Sequence, residues 1–274
     1  MNSDVTPVLP VSTATPAAAA AVAALAEPVN HLGTRWMLSR RVAANGETVG
    51  FPDGLAFYCA GRGGVLGDVH PDVVTAAFGF FAGPLMAAQW RAGTTVMPAG
   101  QAAVAYRDAM CDWAQSRLGE FDRPTLVRVT ELARQVADGA DVTGVPLFAG
   151  WRALARPDHD DAGDAVLALN LLRELRGGLH LLATRACGVI PAVSVVLTHP
   201  EMMGFFGWPE EAALYESLAA RGVDLEDQRT RRHAGEALTD ELDAAAYSAQ
   251  PAGVLDELVE LALAVCEATQ SRPR

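Results

Sequence analysis

Between residues 170 and 184, polar side chains recur every three or four positions: Asn170, Arg173, Arg176, His180 and Thr184. On a helix this spacing stacks them into one stripe. Two guanidiniums offer forked donors suited to a carboxylate or phosphate, and an imidazole adds a group that exchanges protons near neutral pH. Glu174 stands beside Arg173, and Gly177 leaves room next to the stripe. A third guanidinium, Arg62, sits in the glycine-rich stretch CAGRGGVLG, where a tight turn can fold it inward against the same helix. Asn30, His31 and Tyr58, from two further segments, are candidate contributors.

The element that must carry the stripe runs from Asp164 to Gly188, with Asp164 as its N-cap and Gly188 and Pro191 as its stop. Leu167, Leu171, Leu175, Leu179 and Leu182 follow helical spacing, and Leu169, Leu172 and Leu181 cover the neighbouring faces. A helix that is apolar nearly all round is central and buried. Polar groups in such surroundings need partners, and two readings stand open. In one, Arg173, Glu174 and Arg176 form structural ion pairs and His180 is a hydrogen-bonded core histidine. In the other, the stripe lines a pocket for a small polar or anionic metabolite.

Composition removes several kinds of chemistry. All 21 basic residues are arginine, so a Schiff-base lysine and the lysine of a phosphate-binding P-loop are both absent. Gly61 and Gly63 are followed by Leu66 where a dinucleotide fingerprint requires its third glycine. The formal charge of −12 disfavours nucleic acid and anionic membranes as partners. Cys59, Cys111, Cys187 and Cys266 are too scattered for a disulfide framework or a zinc knuckle. Reduced thiols, no metal site and a cytoplasmic location are expected; no cofactor signature is present. No stretch reaches the roughly 18 uncharged apolar residues of a membrane helix.

The remaining chain reads as helices joined by loops, with neither a confident alternating strand nor an internal repeat. Residues 1–24 are expected to be a disordered or alanine-rich tail, followed by a helix from Glu27 to Arg41 and a loop, VAANGETVGFPDG. Later helices are expected at Gln101–Leu118, Pro124–Ala137, Pro209–Arg221, Thr230–Ala246 and Pro251–Ala268. The fold class is all-α: a multi-helix bundle around a buried central helix. Residues 25–188 form its main domain, 189–268 a helical region packed on it, and 269–274 a tail.

The segments YCAGRGGVLGDVHPDVVTAAFGFF, VPLFAGWRAL, LLRELRGGLHLLATRACG and FFGWPE, in this order, resemble the actinobacterial SalK-type family over residues 25–268. This resemblance implies a helix-turn-helix or winged-helix layout and specifies no reaction. The family's central helix reads REHRGDGH or REHRGGAH; here Arg173, Glu174, Arg176, Gly177 and His180 match, and Leu175 replaces the other histidine. Its early E-P-x-H pattern is shifted, with Asn30 after Glu27-Pro28-Val29 and His31 one place late. The implied layout makes residues 189–268 a degenerate winged helix with Pro209–Arg221 as recognition helix. That helix carries Glu210, Glu211 and Glu216 against a single Arg221, an unsuitable face for phosphates. The function expected is therefore small-molecule binding at the polar stripe, in a metabolic or natural-product biosynthetic accessory protein. The alternative is a winged-helix transcriptional regulator.

Overall fold

The computed structural model describes residues 14–270, so the expectations for residues 1–13 and 271–274 lie outside the described residues. Every regular element in it is helical, and no strand occurs among the described residues. The all-α class is correct.

The first helix, α1 (Pro16–Met37), corrects the expected tail. Thr15 caps it, accepting from the Ala18 backbone N–H, and Ala18, Ala21, Val22 and Leu25 are buried together with Val29, Leu32 and Trp36. Alanines at helical spacing let neighbouring helices approach closely, so the alanine run is part of the core. The same buried face continues past Pro28, which explains why the ring's missing N–H does not end the helix. After it, α2 (Arg40–Thr48), capped by Ser39, occupies most of the expected loop. Its Gly46 is required by packing, since a Cβ there would lie 2.5 Å from the Phe57 ring.

There follow α3 (Gly54–Gly63), α4 (Pro71–Phe78), α5 (Gly83–Val96), α6 (Ala99–Leu118), α7 (Arg123–Gly139) and α8 (Pro146–Ala153). After them comes α9 (Asp161–Ala186), against which α1, α6, α7 and α8 all pack. The expected central helix is thus present, but its cap is Asp160 rather than Asp164. Asp164 is buried in the first turn, where it accepts from Arg134 at 2.9 Å and also pairs with Arg156. Its charge also suits the helix N-terminus.

Residues 189–268 divide differently from the expectation. α10 (Pro191–Thr198) and α11 (Glu211–Ala220) form a small satellite core with Val193, Val196, Met203, Leu214 and Leu218. In contrast, α12 (Leu225–Tyr247) and α13 (Ala252–Ala268) bury Tyr247, Leu255, Leu258 and Val265 in the main core beside α1. No wing is formed: Asp224 caps α12 through the Glu226 N–H, so the segment expected to precede a helix at Thr230 is already helical. Thr269, expected in the tail, is buried and accepts from Arg35.

Candidate functional site

The second half of α9 borders a half-open cavity of about 1260 Å³. Arg173, Arg176, Gly177 and His180 line it, and Gly177 has open space where a Cβ would stand. Gly178 does different work, because a Cβ there would meet Val145 at 2.6 Å. Aromatic rings supply much of the apolar wall: Phe78, Phe80, Phe81 and Phe206.

Arg62 reaches this wall from the last turn of α3, not from an irregular turn as the glycines suggested. Its guanidinium donates through Nε and Nη2 to the two oxygens of Glu174, both at 2.9 Å, and through Nη1 to the Tyr58 hydroxyl at 3.0 Å. The Phe78 ring lies 4.6 Å from the same guanidinium. Arg173 adds a third bond to Glu174, also at 2.9 Å, and crosses Gly33 of α1 so closely that no Cβ fits there. Burial works to raise the Glu174 carboxyl, but the adjoining Arg62 and Arg173 hold it below the usual range. The result is two guanidiniums sharing one carboxylate, a balance of plus one in a wall whose Glu174 is almost fully enclosed. The structural-network reading accounts for Arg62 and Glu174; it leaves a surplus charge at Arg173.

One turn along, Arg176 donates to Asp240 at 2.7 Å and Asp243 at 3.4 Å on α12. His180 meets Thr239 at 3.1 Å through Nδ1 and stacks near Phe80, with ring centres 5.5 Å apart. Thr239 already donates to the Gly235 carbonyl, so it can only accept from His180, and the proton belongs on Nδ1. Nε2 is left as an acceptor. Burial lowers the imidazole below its ordinary pKa, which favours the neutral form at pH 7.

The other expected contributors separate. Tyr58 and Asn30 line the cavity, whereas His31 is exposed and lies 3.9 Å from Glu27. Asn170 is buried away from the cavity, and neither of its amide atoms has a partner. The sequence reading missed α12 altogether as a source of site residues, although Glu236, Asp240, Asp243 and Tyr247 recur at helical spacing and complement the arginine stripe of α9. No group of three or more metal-binding side chains occurs among the described residues, and the cysteines are free.

The described residues form an all-α bundle with a charged, aromatic-lined cavity and a small satellite core around two short helices. Residues 17–273 match a helix-turn-helix family, and the chain belongs to it. Comparison with curated proteins and with solved structures returns no match. No single described helix is long and apolar enough to cross a membrane.

Proposed function

We propose that this protein binds a small organic anion in the cavity, with Arg173 and the Arg62–Glu174 pair as its anchor. One observation carries the reading: the trio of buried Arg62 and Glu174 with the partly exposed Arg173 has two cations to one anion at a cavity wall. A preformed cation beside aromatic surface is the usual makeup of a small-molecule site, and forked guanidiniums match carboxylates. The cavity exceeds the roughly 300–1000 Å³ of an ordinary ligand site, which leaves room for a substantial apolar body. We assign the protein an accessory role in metabolism, natural-product biosynthesis included, akin to the SalK-type proteins it resembles; no reaction is assigned.

Family membership favours DNA binding as the second reading. The surface opposes it. Glu210, Glu211 and Glu216 crowd α11, while Arg229, Arg231 and Arg232 are paired with Glu226, Asp227 and Glu236. A backbone-reading surface needs cations free for phosphate.

The test is thermal stabilisation by a series of aromatic and aliphatic carboxylates, in the wild type and in Arg173→Leu. Binding to the native state raises the midpoint with ligand concentration. The expected result is stabilisation by at least one carboxylate and its loss in the variant. Equal stabilisation of both proteins, or of neither, overturns the proposal.

A further inference from the structure

The α9–α12 seam carries the opposite balance from the trio. Arg176 is shared by Asp240 and Asp243, one cation for two carboxylates. Asp243 is 2% exposed, lines the cavity, and accepts from Arg176 only through Oδ2. Its Oδ1 is buried with no donor. A buried carboxylate oxygen left without a hydrogen bond is costly. Its neighbours do not supply it: Arg176 reaches only Oδ2, and the neutral His180 spends its Nδ1 proton on Thr239. The open position calls for an N–H or O–H from a ligand, and the local negative balance selects a positive one.

Arg173 and Arg176 are three residues apart on α9, a rise of about 4.5 Å. Arg173, Arg176 and Asp243 all line the same cavity, so the positive and the negative station border one space. Phe78, Phe80 and Phe206 border the same cavity.

We propose that the site takes a zwitterionic ligand of the amino-carboxylate class with an apolar side chain. Its carboxylate meets Arg173, its ammonium meets Asp243 Oδ1, and its apolar body lies among the phenylalanines. This rests on the anion-site reading and extends it by a second, oppositely charged station. Burial raises the Asp243 carboxyl to about 6, a cost that an arriving ammonium relieves.

The experiment is calorimetric titration of the full chain with ligands that share one ring: L-phenylalanine, 3-phenylpropionate without the ammonium, and phenethylamine without the carboxylate. Each is titrated into wild type, Asp243→Asn and Arg173→Leu, with a denaturation curve confirming that each variant folds. A charge-assisted hydrogen bond contributes enough for a preference of about 10-fold or more for phenylalanine over 3-phenylpropionate. That preference should disappear in Asp243→Asn, and Arg173→Leu should weaken both carboxylates. Equal binding of the two by wild type, or a preference that survives Asp243→Asn, overturns the second station and leaves the anion site standing. Conversely, phenethylamine binding as tightly as phenylalanine, with Arg173→Leu without effect, upholds the station at Asp243 and overturns the anion site. Failure of all three to bind at millimolar concentration overturns both.

Discussion

Replacing Glu174 with Gln separates the structural and cavity-facing parts of the trio when set beside Arg173→Leu. Glu174 is 1% exposed and accepts three guanidinium bonds, two from Arg62 and one from Arg173. Gln keeps the shape but removes the negative charge and one of the two acceptor oxygens, leaving two cations facing each other in a buried wall. Removing one partner of a buried ion pair costs about 3–5 kcal/mol. In a protein of this size each kcal/mol shifts Tm by about 2 °C, so Glu174→Gln should melt roughly 6–10 °C lower. Arg173→Leu leaves Arg62 and Glu174 as a neutral, bidentate pair. It forfeits one hydrogen bond and removes the surplus charge, so its stability should stay within about 1 kcal/mol of wild type. The assay is urea denaturation of all three proteins, read from the midpoint with the slope checked for constancy. A loss under about 1 kcal/mol in Glu174→Gln would refute the charge accounting. A loss in Arg173→Leu equal to that in Glu174→Gln would show that Arg173 is structural and would withdraw it as the anion anchor.

His180→Leu should change stability by less than about 1 kcal/mol, because Thr239 keeps its bond to Gly235 and loses only a neutral partner; a drop above 2 kcal/mol in the denaturation midpoint would contradict this. Asp243→Asn should change stability in a pH-dependent way. The native carboxyl, at about 6, lies above its unfolded value near 3.8, so wild-type stability is fullest below about pH 4 and declines as pH rises towards and through 6. Asn escapes that decline, so its stability relative to wild type should rise by roughly 3 kcal/mol between pH 4 and neutral pH; a difference that does not vary between pH 4 and 7 would count against the assignment. Random duplex DNA should not be retained at about physiological salt, given the charge of −12 and the paired arginines of α12. Salt-sensitive retention that is lost on replacing Arg229, Arg231 and Arg232 together would favour the regulator reading.

Local pattern was enough for the helix class and for the central position of α9. Its leucines surround the axis, and those from Leu167 to Leu175 are buried as that pattern requires, whereas Leu182 beside the cavity stays exposed; its polar residues fall on one line because 3.6 residues make a turn. The ends of elements were less legible. Pro28 and the Asn45–Gly46 pair look like breaks, yet burial of Leu32, Trp36 and Val42 in a shared core outweighs their local cost. Partner choice was legible only in part: Arg62 was expected against α9, but not its partner Glu174, and the carboxylates of α12 were not expected at all. Arg62 meets Glu174 across 112 positions, and Arg176 meets Asp243 across 67, pairings that exist only because the tertiary fold brings α3 and α12 to α9. Long-range packing also decided which arginine is neutralised and which remains in surplus, since charge balance in a low-dielectric wall depends on the number of side chains brought together, and chain order does not encode it.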